Sequence, residues 1–127
     1  MITRGSFIVT FAALVTACQA AENQVDYLRE IQPILRERCF ACHGGWKQKA
    51  GLRLDTVEGI IRGGDSGPAI TRGNASTSIL LDRVSAADAA ERMPPEHEGN
   101  PLSVAEIARL RAWIEQGATA PANEQPE

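Results

Sequence analysis

The chain has 127 residues, enough for one domain and too few for a substrate domain beside a cofactor domain. With 13 Lys plus Arg against 16 Asp plus Glu there is no basic surplus to neutralise phosphates, which argues against a nucleic-acid partner. Aromatic residues make up only 5%, a thin supply for a core, and three cysteines, Cys18, Cys39 and Cys42, leave one thiol outside any simple disulfide framework.

At the N-terminus Arg4 supplies a positive charge, and residues 5–17 form an uncharged, mostly apolar run. Such a run has the form of a signal-peptide core and is too short to span a bilayer; a buried helix of the domain is the plainer alternative. The run ends Val15-Thr16-Ala17-Cys18, which resembles a bacterial lipoprotein signal, in which the cysteine is lipidated and becomes the first mature residue. Ordinary cleavage after Ala20 matches less well, because Cys18 would then stand at the first small position. The expectation is a signal peptide over 1–17, a lipid on Cys18, a short linker over 18–24 and a periplasmic domain held at a membrane surface. That mature chain carries 12 basic and 16 acidic side chains, a net charge of −4.

The domain itself spans 25–117. Pro33 suits a first helical turn and predicts a helix from there to about Cys39, with Ile34, Leu35 and the cysteine facing inward. Leu52-Arg53-Leu54 alternates like a short extended piece, and Asp55 with Glu58 three residues later reads as a cap on a short helix carrying Val57, Ile60 and Ile61. The stretch Gly63-Gly64-Asp65-Ser66-Gly67-Pro68 ends that helix as a loop; it lacks the Lys-Ser/Thr ending and the flanking strand of a phosphate-binding loop. A third helix is expected over Ser78 to Val84, bringing Ile79, Leu80 and Leu81 to the core.

The last helix is the best defined, with Ser103 and Glu106 as a capping box and Leu102 and Ile107 as a hydrophobic staple. Its apolar stripe is Ile107, Leu110 and Ile114, broadened by Trp113, and Gly117 marks its end. Residues 118–127 are polar and Pro-containing, and are expected to be disordered. No alternating run is long enough for a sheet, so the fold class is all-α, about four short helices joined by long loops. Long loops in a small domain need something to wrap around.

Cys39-Phe40-Ala41-Cys42-His43 has the attachment pattern of c-type haem. Residues three apart on a helical turn share a face, so both thiols can reach the two vinyl groups of one porphyrin, and His43 can bring an imidazole nitrogen to the iron. The competing readings are a redox dithiol, for which the usual strand-helix-strand context is missing, and a zinc site drawing on Cys39, Cys42, His43 and His97. For the sixth iron position Met93 is the only methionine outside the leader, and His97 the only other histidine. Pro94 and Pro95 push Met93 toward an extended, stiffened conformation from which its thioether can face the iron. The alternatives are a Met93 that fills a core gap and a His97 that ligates instead, though the polar surroundings of His97 suit a solvated side chain.

The segment from about Val25 to Ala118 resembles the planctomycete-type cytochrome c domain, a class I-like c-type cytochrome. The resemblance rests on Gln32-Pro33-Ile34-Leu35 leading into Cys39 to Gly44, on Lys47 to Asp55, Gly63 to Ile70 and Ser78-Ile79-Leu80-Leu81, and on Arg92-Met93-Pro94-Pro95 and Glu106 to Gly117. It implies one haem c held covalently through Cys39 and Cys42, His43 as proximal ligand, Met93 as distal ligand, and N- and C-terminal helices crossing beside the haem. By the same resemblance a loop carbonyl, here that of Pro68, would accept the ring N–H of His43; a plain turn residue is the alternative. Gly45-Trp46 and the acidic stretch after the prolines depart from the usual family pattern.

The function implied is single-electron transfer rather than enzymic turnover, because a six-coordinate iron leaves no position for a small-molecule substrate. A haem peroxidase and a redox- or gas-sensing module are the alternatives. The acidic balance suggests redox partner proteins with a basic docking patch, and the lipid on Cys18 a membrane contact.

Overall fold

The structure, a computed structural model, describes residues 23–127. The signal peptide, Cys18 and most of the linker therefore lie outside the described residues.

Asp26 starts the helical part: its carboxylate accepts the Arg29 N–H at 3.1 Å. It caps a π-helical turn, Tyr27–Ile31, which runs directly into α1, Gln32–Arg38. Pro33 stands in the first turn of α1, where its missing N–H costs no hydrogen bond, and Ile34 and Leu35 point inward as the sequence predicts. Cys39 is the residue after the helix, only partly buried, and packs against the core.

The second helix, α2 (Val57–Arg62), is capped differently from the sequence reading. Thr56, not Asp55, supplies the cap, its Oγ1 accepting the Gly59 N–H at 3.1 Å. Asp55 is instead fully buried and paired with Arg53, whose Nε donates at 2.9 Å. On an extended segment residues two apart share a face, so Arg53 captures the carboxylate before the helix can use it.

Helix α3 (Ile79–Ser85) buries Leu80, Leu81 and Val84, with Ile79 only half-buried. Before it, the buried Ser78 hydroxyl donates to Asn74 O at 2.8 Å and accepts the Thr71 N–H at 3.0 Å, which folds 71–78 into a closed turn. Helix α4 (Val104–Glu115) has both arms of the capping box: Glu106 N–H to Ser103 Oγ at 3.2 Å, and Ser103 N–H to Glu106 Oε2 at 2.7 Å. Leu110, Trp113 and Ile114 are buried on it, and the chain turns at Gly117 with φ 104°.

The Trp113 ring stacks on Tyr27 at 5.5 Å between centroids, bringing the N-terminal turn against α4. Among the described residues there is no strand, only isolated bridges such as His43 with Gln48. The protein is a small all-α domain.

Residues 118–127 contain no helix, yet they do not behave as the expected disordered tail. Trp113 Nε1 donates to Thr119 O at 2.9 Å, and Ala118 is fully buried. The Glu124 carboxylate accepts the Tyr27 hydroxyl and the Val57 N–H, the latter at 2.8 Å. Glu127 donates its N–H to Asp55 at 3.1 Å and pairs with Arg36. The segment has no apolar periodicity, and its carboxylates find donors that earlier elements leave open.

Candidate haem-attachment site

The attachment motif begins where α1 ends, Cys39 leaving helical geometry at φ −127°, and continues as a single turn. Cys39 N–H donates to Leu35 O at 2.8 Å, then Cys42 and His43 N–H both donate to Cys39 O, at 3.1 and 2.9 Å. One turn thus sets Cys39 and Cys42 on a common side, with His43 directly after. Both cysteines are free thiols and partly accessible. Burial pushes the Cys39 thiol up to about 12 against the opposing charge of Arg38, so it stays protonated at neutral pH. A redox dithiol needs the reverse shift, which removes support from that reading. Zinc fares no better: among the described residues no three His, Cys, Asp or Glu side chains come together as a metal cluster.

The His43 backbone is held on both sides, its N–H by Cys39 and its carbonyl by the Leu54 N–H at 2.8 Å. Gly44 follows in a turn closed by its N–H on Lys47 O at 2.9 Å, and a Cβ at Gly44 would lie 2.5 Å from Phe40 O. Glycine is what lets the chain double back so close to the motif. Burial pushes the His43 imidazole below its ordinary value, although the Leu52 and Lys49 carbonyls face the ring and oppose the shift. The ring is therefore neutral at pH 7, the form that ligates iron.

Neither carbonyl reaches hydrogen-bond geometry at Nδ1, which is buried and without a partner among the described residues. Leaving such a nitrogen unpaired costs about 1–3 kcal/mol. A half-buried imidazole with no partner at Nδ1, next to two free thiols on one turn, fits a haem c.

Pro68 does not take the role that the resemblance implies. It is exposed, and its carbonyl does not pair with Nδ1. The glycine-rich loop meets the Lys49–Gly51 turn instead, Asp65 N–H donating to Ala50 O at 2.8 Å. Residues 49 and 52, not 68, are the ones facing the histidine.

Met93 is 39% exposed, stands outside the core cluster, and donates its N–H to Arg83 O at 2.9 Å. It does not fill a core gap, and the buried residue of this loop is its neighbour Pro94. The His97 side chain is 80% exposed beside Glu98, a solvated surface position. A groove of about 550 Å³ runs elsewhere, between α2 and the C-terminal segment, bordered by Val57, Ile61, Arg62, Arg72, Pro121 and Glu124. None of the motif residues lines it.

The Arg53–Asp55 pair escapes sequence reading, although an arginine two residues from an aspartate on an extended piece is its signal. So does the state of Arg92, whose Nε is buried without a partner. The family model for planctomycete cytochrome c matches residues 39–97, from the attachment motif to His97. No curated protein and no solved structure matches the chain. The match begins at the first attachment cysteine and takes in His43 and the Met93 loop: over residues 39–97 the chain is similar to the planctomycete cytochrome c family, and that similarity supports a haem-binding electron-transfer domain.

Proposed function

We propose that the protein is a monohaem c-type cytochrome that passes single electrons between exported redox proteins, anchored to a membrane by a lipid on Cys18. The observation that carries this reading is the half-buried imidazole of His43, whose buried Nδ1 has no partner among the described residues and which burial holds below its ordinary value, directly after two free thiols on one turn. Cys39 and Cys42 would hold the porphyrin as thioethers, each S–H adding across one vinyl C=C, and His43 and Met93 would ligate its iron. Bound iron supplies one-electron cycling, and Met/His ligation sets it toward high potential.

The chain's own work is to hold the ligands still. Cys39 O and the Leu54 N–H fix the His43 backbone, and the Arg83 carbonyl fixes that of Met93. Iron ligated by both His43 and Met93 would offer no open site, which favours electron carriage over peroxidase chemistry. The net charge of −4 favours a partner with a basic patch, so association with that partner slows as salt rises.

Absorption spectroscopy of the purified holoprotein, with a mass measurement, is the test. One haem mass added per chain, and low-spin iron with a methionine-to-iron charge-transfer band when oxidised, support the carrier. High-spin iron in the resting protein overturns it in favour of the peroxidase or the sensor. The anchor is tested separately: Cys18→Ala moves the protein into the soluble periplasmic extract, and retention in the membrane fraction rules the lipid out.

A further inference from the structure

Arg92 immediately precedes the proposed distal ligand, in the most acidic part of the chain. Asp88, Glu91, Glu96 and Glu98 all lie within six positions of it. A guanidinium so placed has every opportunity to pair, and most arginines of the domain do. Arg36 binds Glu127, Arg38 binds Glu106, Arg53 binds Asp55 and Arg83 binds Glu91. Arg92 forms no ion pair among the described residues, and its Nε is buried with no hydrogen-bond partner. Arg62, Arg72 and Arg111 also lack a carboxylate partner, but they are exposed, and water satisfies them.

Burying a guanidinium donor without an acceptor is unfavourable, more so than for a neutral group. Only two side-chain atoms among the described residues are buried and unsatisfied: His43 Nδ1 and Arg92 Nε. One belongs to the attachment motif and the other to the residue before Met93. A haem ligated at His43 and Met93 would lie next to the residue before Met93 and offer an acceptor to Arg92.

A haem has two kinds of edge. Thioethers at Cys39 and Cys42 fix the vinyl side, and the propionate carboxylates lie on another part of the rim. A carboxylate is the acceptor that a forked, permanently charged guanidinium matches best. The backbone around Arg92 is also pinned, its own N–H to Asp88 O at 3.0 Å and that of Met93 to Arg83 O. Its side chain therefore starts from a fixed base next to the distal ligand.

We infer that Arg92 binds a haem propionate, and that this ion pair clamps the loop that presents Met93. The inference rests on the haem reading above and adds a residue to it. Since haem is held by thioethers, substitutions at Arg92 leave it attached, and the contact can be examined in the intact holoprotein.

The test compares Arg92→Gln, Arg92→Lys and the exposed control Arg72→Gln with the parent by resonance Raman spectroscopy and redox titration. The propionate bending band reports hydrogen bonding to the carboxylate directly. It shifts in Arg92→Gln, shifts less in Arg92→Lys, where a cation remains but the fork is lost, and stays in place in Arg72→Gln. The reduction potential falls in Arg92→Gln, because a positive charge that favoured the ferrous form is gone, and is largely restored in Arg92→Lys. An unmoved band in Arg92→Gln with low-spin iron overturns the inference while leaving the haem reading intact, as does a band that moves equally in Arg72→Gln. If Arg92→Gln does not accumulate, an unmoved band in Arg92→Lys is the overturning result. A parent chain that takes up no haem c removes both readings, and the absorption spectrum identifies that case.

Discussion

Replacing Asp55 by alanine should destabilise the holoprotein and loosen His43, the proposed iron ligand. The carboxylate has no accessible surface, yet it lies just under it, because its partner Arg53 keeps 24% of its side chain exposed. It accepts the Arg53 Nε–H at 2.9 Å, a second Arg53 donor, and the Glu127 N–H at 3.1 Å. Breaking a deeply buried pair costs about 3–5 kcal/mol. Here water can reach the orphaned guanidinium and the freed Glu127, so the loss should come to about 2 kcal/mol. The effect does not stay local, since the preceding residue Leu54 donates its N–H to the His43 carbonyl at 2.8 Å. Urea unfolding of the holoprotein, followed by the methionine-to-iron band, measures both consequences: a lower midpoint, and loss of the band at denaturant concentrations where helicity persists. Burial raises the carboxyl, but the Arg53 hydrogen bond and charge and the Glu127 N–H outweigh it, so the folded value lies below the ordinary one. A depressed carboxyl contributes fully above its unfolded pKa of about 3.9, and that contribution disappears as pH falls through the folded value. Asp55→Asn should therefore lose stability at neutral pH and show a shallower decline below about pH 4. A loss under about 0.5 kcal/mol in Asp55→Ala, or an unchanged acid limb in Asp55→Asn, refutes the reasoning.

Three further substitutions separate ligand, backbone and cap. Met93→Ala should abolish the methionine-to-iron band of the oxidised protein while His97→Ala keeps it, and the opposite pattern would assign the iron to His97. Gly63→Ala places a Cβ 1.9 Å from Gly67 O at a φ of 73°, so strain of about 1–3 kcal/mol adds to a backbone collision. A variant that melts with the parent would show that the glycine loop has room to move. Ser103→Ala removes one arm of the α4 capping box and should cost about 1 kcal/mol in thermal unfolding, with the haem spectrum unchanged. A spectral change there would mean that α4 is coupled to the ligands more tightly than its contacts indicate.

What the sequence made legible was whatever is written within one turn. The α4 cap and the inward pair Ile34 and Leu35 each need only neighbours three or four positions apart, and each stands as read. The misreadings arise where a distant or differently placed group wins the same atom. Asp55 looked like a helix cap because Glu58 follows it, but Arg53 takes the carboxylate from the extended side, and a chain segment more than 70 positions away supplies its other donor. The C-terminal segment looked unstructured because its composition shows no apolar face, whereas Glu124 holds it by bridging Tyr27 and Val57. Pro68 failed because proximity to His43 passes through the 49–52 segment, a relation that no spacing encodes.

The shortage of aromatics noted at the outset has a matching shortage in the distal loop. Tyr27 and Trp113 join the N-terminal turn to α4, Phe40 is only partly buried, and Trp46 is fully exposed, so the remaining rings do not build a second core. From 86 to 101 the only buried residue is Pro94, and the loop hangs on the Met93 to Arg83 hydrogen bond and the exposed Arg83–Glu91 pair. Exposed pairs contribute at most about 1 kcal/mol, too little to order sixteen residues at about 1 kcal/mol or more of backbone entropy each. The helices can satisfy themselves, but on the function and inference proposed above the loop needs the iron at Met93 and a carboxylate at Arg92. Loop order should therefore follow haem ligation: in Met93→Ala, amide exchange over 86–101 should accelerate while α4 keeps its protection. Equal protection of the loop in parent and variant would show that the chain holds this segment without help from the cofactor.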